Sequence, residues 1–515
     1  MRVEDHLAAS ARRHPEKTAL VVGSDRIAYA TLEDEAARLA GALRAAGVAR
    51  GDRVVIFADN CREAVVGLYA AMRAGAVFSI LNPSTKADKL GFVLRDCEPA
   101  AILAQARLAP ILAAALDMLD PGNRRPALFL VGESDALPSA LPYATAIAGP
   151  RIAAGEAGID LDLAMLVYTS GSTGVPKGVM MTHQNVVAAA TAITTYLESA
   201  PDDIVLCALP ISFDYGLYQV LMTVMVGGTL VLEKSFAFPQ AVLQRIRDER
   251  VTGFPLVPTM AALLLQMREL EPGSLPSLRY VSNTAAALPP AHIARLQELL
   301  PGTRIYSMYG LTECKRCTWL PPAELARRSG SVGIAIPGTE AYVVDEAGQR
   351  AAPGVTGELV IRGAHVMKGY WRNPEATAKA LREGPHPWER VLYTGDLFRT
   401  DEDGFLYFVA RKDDIIKTRG EKVAPKEVEN VVYMLAGVRE AAVVGVPHAV
   451  LGEAVKLLVA LEPGADLDAR AIKRHCAAHL EDFMVPTEIE ILAELPKTAT
   501  GKISRREAAA LVAAE

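Results

Sequence analysis

"YTSGSTGVPKGV", residues 168–179, follows directly on the apolar run "LAMLV" (163–167), and seven of its twelve residues are Gly, Ser or Thr. A buried strand thus hands over to flexible, hydroxyl-rich backbone that ends near a lysine. Gly171, Gly174 and Gly178 can turn their amides toward one point, because a residue without Cβ reaches both halves of backbone space. Thr169, Ser170, Ser172 and Thr173 add hydroxyl donors and Lys177 adds positive charge, which suits the segment to wrapping phosphate oxygens. It is not the Walker A loop, because Pro176 precedes Lys177 and Gly178 follows it where that loop needs Ser or Thr. The competing reading is an ordinary flexible surface loop.

Working outward, the chain alternates helical and extended patterns. "TLEDEAARLAGALRAAG" (31–47) predicts a helix capped by Thr31, with an acidic first turn, Leu32, Ala36, Leu39 and Leu43 at helical spacing, and a stop at Gly47. "DRVVIFA" then reads as a buried strand, "CREAVVGLYAAMRAG" as a helix and "AVFSIL" as a second strand. Strand, helix, strand is the unit of a parallel sheet with both faces covered. Beyond about residue 400 the texture changes, and "DEDGFLYFVARKDDIIKTRGEKVAPKEVEN" is dense in charge and turn residues. After it, "AAVVGVP", "AVKLLVAL" and "TEIEIL" predict short strands between helices, with a last helix from Ser504. The expected fold is α/β: a large N-terminal domain (1–411) of parallel-rich sheets flanked by helices, and a small, mobile α+β C-terminal domain (412–515).

Composition limits the function classes. A chain of 515 residues exceeds what one core usually organises. With 51% hydrophobic and 22% charged residues it has the balance of a globular enzyme. A net charge of -6 gives no electrostatic pull toward nucleic acid or an anionic membrane. The N-terminus lacks the apolar centre of a secretion signal and no run of about eighteen apolar residues occurs, so a cytoplasmic protein without a membrane span is expected. Six cysteines are too sparse for a disulfide scaffold, and the lone C-x-x-C of Cys314 and Cys317 has no second pair or His cluster in sequence to make it a metal site.

Further motifs follow the opening loop in order: "MYGLTE" (308–313), "GELVIRG" with "GYW" (357–371), "YTGD" (393–396), "RKDDIIKTRGEKVAPKEVE" (411–429) and "PKTATGK" (496–502). Together with the loop they closely resemble the AMP-forming adenylate ligase superfamily, which comprises acyl-CoA synthetases, nonribosomal peptide adenylation domains and luciferases. The resemblance spans essentially the whole chain. It implies an enzyme that joins a carboxylic acid to AMP using ATP and Mg²⁺, then transfers the acyl group to the thiol of CoA or of carrier-bound phosphopantetheine.

The resemblance also implies roles. Thr169, Ser170, Gly171, Ser172, Thr173, Gly174 and Lys177 hold the outer phosphates, Thr312 contacts the α-phosphate, and Glu313 helps to hold Mg²⁺. Tyr309 and Gly310, with Ala285 and Ala286, flank adenine; Thr284 begins "TAAAL" where many members have Gly. Asp396 accepts the ribose hydroxyls and Arg411 assists, although Ala410 precedes it where many relatives carry Gly. Lys502 is the expected catalytic cation. Asp413 matches the hinge about which the small domain turns, bringing the loop at Gly420 to the site for the thiol step.

For the acid itself, "LPISFDYGLYQ" places Asp214 where amino-acid-activating members pair an aspartate with the substrate ammonium. Lys315 and Arg316 stand just beyond Glu313, at positions near the pocket floor in relatives. One expectation is an amino acid, or an amino-dicarboxylic acid whose second anionic group meets Lys315 or Arg316. The alternative is that Asp214, Lys315 and Arg316 satisfy one another beside a tunnel for a fatty acyl chain. Tyr215 and Tyr218 suit either pocket, and Thr284 borders it. The chain stops soon after Lys502, so any carrier is expected in trans. A catalytically silent nucleotide-binding module is the remote alternative.

Overall fold

The computed structural model describes residues 1–120, 122, 124–152, 158–170, 176–284, 288–418, 421–448, 451–498 and 503–513. The chain forms two compact units: one of residues 1–329, 333–341 and 361–392, the other of residues 330–332, 342–360 and 393–515.

The first unit contains two parallel-rich sheets. In one, the strands Thr18–Val22, Thr229–Leu232, Ile204–Cys207, Gly253–Leu256, Tyr280–Asn283 and Arg304–Leu311 lie side by side in that order, all parallel, and Lys315–Leu320 turns back antiparallel. The other is eight-stranded and centres on Arg53–Phe57, flanked in parallel by Val77–Leu81 and Ala101–Gln105. Its strands are continuous apolar runs because both faces are covered. Val55, Phe57, Ile102 and Ala104 pack there with Leu90, Leu94, Leu112 and Leu116 of two helices. The strand–helix–strand unit read from residues 52–81 is present, its helix running Arg62–Arg73.

One helix start differs from expectation. The helix Tyr29–Ala45 begins two residues before Thr31, and its N-cap Ala28 supplies no side-chain bond. Backbone does the capping instead: Tyr29 N–H donates to Lys17 O at 2.9 Å and Ala30 N–H to Pro15 O at 3.0 Å. Those bonds satisfy two of the first amides of the helix, which have no partner within it. The end is as expected, with Gly47 left-handed at φ 84°.

The second unit includes a five-stranded sheet in which Val438–His448 and Gly452–Leu461 form the long antiparallel pair, and Glu488–Leu492 adds in parallel. Successive side chains point to opposite faces. Ala441, Val443, Leu457 and Val459 pack with Val428, Val432, Ile472 and Cys476 of two helices. Ala442, Val444, Leu458 and Ala460 pack on the other face with Ala508 of the helix Arg505–Ala513. That last helix is capped by Ser504, whose Oγ accepts Glu507 N–H at 3.3 Å. Among the described residues no helix is long and apolar enough to cross a membrane.

Candidate active site

The glycine-rich loop springs from a β-hairpin. Leu163–Ser170 pairs antiparallel with Pro176–Thr182, so that Thr169 faces Lys177 and Tyr168 faces Gly178 across the mouth of residues 171–175. Gly171, Ser172, Thr173 and Gly174 themselves lie outside the described residues, as does the side chain of Ser170. The loop is thus rooted in two strands, unlike a P-loop, which runs into a helix N-terminus. Its base is fixed by Asp96: Tyr168 Oη donates to Asp96 Oδ2 at 2.5 Å and Trp371 Nε1 to Asp96 O at 3.0 Å. Gly178 packs closely there: a Cβ would lie 3.2 Å from the Tyr168 ring and 3.3 Å from Trp371 Cβ, so a side chain would have to push one of them aside by a few tenths of an ångström.

A third short strand, Gly369–Tyr370, adds to the hairpin with Tyr370 opposite Val179. Tyr370 is the residue that sequence reasoning left without a role. Its Oη donates to Glu313 Oε1 at 2.7 Å, and the Lys177 ammonium lies 5.4 Å from its ring centroid. One side chain therefore links the expected metal ligand to the expected phosphate lysine. Met367 N–H also donates to Glu313 O at 2.8 Å, which fixes the backbone of the turn.

That turn joins Arg304–Leu311 to Lys315–Leu320 and carries Thr312 and Glu313, both half-buried. Gly310 permits it: a Cβ would sit 1.7 Å from Lys315 O, so no side chain fits. Tyr309 precedes it, half-buried and paired with Thr318. Cys314 and Cys317 are buried free thiols, and no cluster of three His, Cys, Asp or Glu side chains that could hold a metal occurs among the described residues. Mg²⁺ needs no such cage, since one or two carboxylates with substrate phosphates suffice. Glu313 fits that demand, having one oxygen fixed by Tyr370 and the other without a hydrogen bond among the described residues.

The residues expected to meet the acid lie close together. Asp214 opens the helix Asp214–Val226, half-buried. Tyr215 and Tyr218 are buried in its first turns; Tyr215 Oη donates to Ser282 O at 2.7 Å, at the end of the strand that leads to buried Thr284. Ala285 and Ala286 lie outside the described residues. Arg316 Cζ stands 4.6 Å from the Tyr215 ring and 6.0 Å from that of Tyr218, while Lys315 Nζ is 5.6 Å from the Tyr218 ring. Burial pushes the Lys315 ammonium below its ordinary range, and the charges of Asp214 and Glu313 oppose that shift. Among the described residues no ion pair joins Asp214 to Lys315 or Arg316, so the three do not close into a salt bridge.

In the second unit, Asp396 is 3% exposed and lies opposite Arg411 on the neighbouring strand, with Arg411 Nε 3.2 Å from Asp396 Oδ1. Glu358 supports this pair, accepting Gly395 N–H at 3.1 Å and the Lys412 ammonium at 2.9 Å. Glu358 and Lys412 stand inside quoted motifs but were given no part. Ala410 is buried in the strand beside Arg411 and pairs with Leu397, so its methyl is accommodated. Asp413 lies in the short turn Lys412–Asp414, its side chain outside the described residues; Gly420 and Lys502 lie outside them entirely.

Comparison with known proteins identifies the family. The AMP-binding enzyme family matches residues 7–371, and the AMP-binding enzyme C-terminal domain matches residues 427–502. A long-chain-fatty-acid–CoA ligase of Bacillus subtilis (strain 168) is 32% identical over 537 residues, covering 97% of this chain and 92% of the relative. A feruloyl-CoA synthase of an Amycolatopsis species is 35% identical over 504 residues, covering 96% of each. The crystal structure of ATP-bound MatB from Rhodopseudomonas palustris superposes with a TM-score of 0.88 at 29% identity, over 99% of both chains. The chain belongs to the AMP-binding enzymes, the superfamily of AMP-forming adenylate ligases, and is an acid–thiol ligase that works with ATP, Mg²⁺ and CoA.

Proposed function

We propose that this ligase activates a small, polar carboxylic acid as its adenylate, releasing pyrophosphate, and passes the acyl group to the thiol of CoA or of a separate carrier protein's phosphopantetheine. The observation that carries the reading is the meeting of Glu313, Tyr370 and Lys177 beside the glycine-rich loop. A carboxylate does not accept a thiol, because its oxygen is a poor leaving group; ATP supplies the AMP that turns it into a mixed anhydride. The acid and the phosphates are both negative, so the protein's task is to offset repulsion with fixed donors and cations.

Lys177 and the residues 169–174 draw charge from the outer phosphates, and Thr312 donates near the α-phosphate. Glu313, held in place by the Tyr370 hydroxyl, would hold Mg²⁺, which would draw charge from the phosphates. Tyr309, Gly310 and residues 284–286 flank adenine. Asp396 accepts from the ribose hydroxyls, with the Arg411 guanidinium beside it on the neighbouring strand. Lys502 brings an ammonium to the reacting oxygens, a donor of the kind whose loss costs about 10²- to 10³-fold in rate. Residues 412–515 then turn at Asp413, which withdraws Lys502 and brings the segment at Gly420 to the thiol.

For the acid, Asp214 is the acceptor of a substrate ammonium, which makes an amino acid or amino-dicarboxylic acid the first class to try. A fatty acid is the second reading, favoured by the name of the B. subtilis relative. Two buried cations beside Tyr215 and Tyr218 weigh against it, since an alkyl chain offers them nothing in exchange for lost water. Pyrophosphate exchange over a panel of acids, repeated with CoA and with carrier proteins, tests the whole. Exchange with at least one acid and thioester on adding CoA are expected. ATP binding without exchange for any acid would leave only the silent module.

A further inference from the structure

We infer that Lys315, Arg316 and Tyr218 form a receptor for a second anionic group on the substrate, so that the acid activated is a short dicarboxylic or amino-dicarboxylic acid. The inference rests on the acid-activating function proposed above and names its substrate class. Lys315 is 2% exposed and Arg316 4%. Lys315 Nζ, Arg316 Nε and Tyr218 Oη are all buried and have no hydrogen-bond partner among the described residues. Lysine and arginine nitrogens can only donate, so nothing but an acceptor completes them. The nearby tyrosine faces hold the cations but take no N–H bond of ordinary geometry.

The carboxylates at hand do not meet the need. Glu313 is bound to Tyr370, and among the described residues Asp214 makes no ion pair with either cation. Asp214 and Glu313 act on Lys315 only through space, and among the described residues no carboxylate makes an ion pair with Lys315 or Arg316. Desolvated cations without a counter-charge are costly, and a fold keeps them where a ligand supplies it.

Backbone geometry points the same way. Lys315 has φ 61°, in the left-handed region that a side chain with Cβ enters reluctantly. A glycine would adopt it freely; the chain instead bears the strain and gains an ammonium at that point. Lys315 pairs with Leu311 and Arg316 with Gly310 across the hairpin whose turn carries Thr312 and Glu313. The second group is therefore bound only a few residues along the backbone from the groups assigned to the α-phosphate and Mg²⁺, where the adenylate forms, which is why the acid must be short.

Pyrophosphate exchange by the full-length enzyme tests this with succinate, glutarate, adipate, aspartate and glutamate. Their matched controls are butyrate, pentanoate, hexanoate, alanine, asparagine and glutamine. At least one diacid should exceed its matched monoacid or amide in kcat/KM by about 100-fold, the discrimination expected of a site built to pair a charged group. In Lys315→Gly, a variant suited to the backbone, that diacid should fall about 100-fold while monoacid exchange stays or rises. The preferred diacid should also raise the melting temperature of nucleotide-free wild type but not of Lys315→Gly. Arg316→Gln provides the same comparison should Lys315→Gly fold poorly. Equal use of matched diacids and monoacids, or exchange confined to monoacids, overturns this inference alone. Equal loss on both in the variants also overturns it, since the cations would then serve the reacting carboxylate or the nucleotide. No exchange with any acid overturns the ligase reading and this inference together.

Discussion

At the scale of single residues, Tyr370 makes the sharpest claim on the chemistry. Its hydroxyl donates to the carboxylate assigned to Mg²⁺, and its ring carries Lys177. A hydrogen bond to a charged group is worth about 1.5–3 kcal/mol, and half-exposure of Glu313 puts this one at the lower end. Tyr370→Phe keeps the ring beneath Lys177 and removes only the hydroxyl. It should raise the Mg²⁺ concentration for half-maximal pyrophosphate exchange by about tenfold while leaving the melting temperature unchanged. An unaltered Mg²⁺ titration would show that Tyr370 only packs. Asp214→Ala makes a second test: exchange with an amino acid should be lost while an unsubstituted acid is spared, and equal loss on both would remove Asp214 as an ammonium reader. Glu313, Asp396 and Lys177 could be singled out because each stands inside a contiguous motif. The link from Tyr370 to Glu313 could not, since it joins residues 57 apart that only strand addition brings together.

At the scale of elements, the buried strands were the most legible, because a strand covered on both faces is a short unbroken apolar run between turn residues. Helix starts were less so. Thr31 has the chemistry of a cap, yet the carbonyls of Pro15 and Lys17 reach the first amides of that helix, and only tertiary structure puts them there. The N-terminal helix Val3–Arg13 shows the same dependence on distant groups. Val3 N–H donates to His183 Nδ1 at 3.2 Å, so that nitrogen is an acceptor and the ring is neutral. Glu4 Oε2 lies 3.4 Å from the same nitrogen. Burial pushes Glu4 up to about 7, against the pull of Arg2, and burial with the charge of Arg2 brings His183 down to about 4. The signs oppose. Glu4, raised in the folded state, contributes stability that is lost as pH climbs from 4.5 toward 7. His183, depressed, contributes stability that is lost as pH falls from 6.5 toward 4. In wild type the two offset each other across the shared window. Glu4→Gln removes the first, so its melting temperature should fall more steeply than that of wild type on acidification from 6.5 toward 4. Parallel curves would show that the pair does not titrate as described.

At the scale of the whole molecule, the sequence marks a change of texture near residue 400, whereas the compact units are threaded: residues 342–360 belong with 393–515, and 361–392 with the N-terminal part. Texture follows local composition, but membership of a unit follows strand pairing between distant segments, which no local signal carries. The proposed function turns at this scale on Lys502, named from "PKTATGK", in the C-terminal part of the chain whose described sheet and helices pack as a core of their own. If its ammonium serves adenylation and is then withdrawn, the two half-reactions must respond differently to its loss. Lys502→Ala should slow pyrophosphate exchange by about 10²- to 10³-fold, the usual cost of one electrostatic donor. Thioester formation from a supplied acyl-adenylate and CoA should continue at close to the wild-type rate, because the proposal assigns that step to the other orientation of residues 412–515. A lysine that only stabilised the C-terminal segment would depress both steps alike and lower the melting temperature. Equal loss in the two half-reactions therefore rejects both the role of Lys502 and the turning at Asp413 that depends on it.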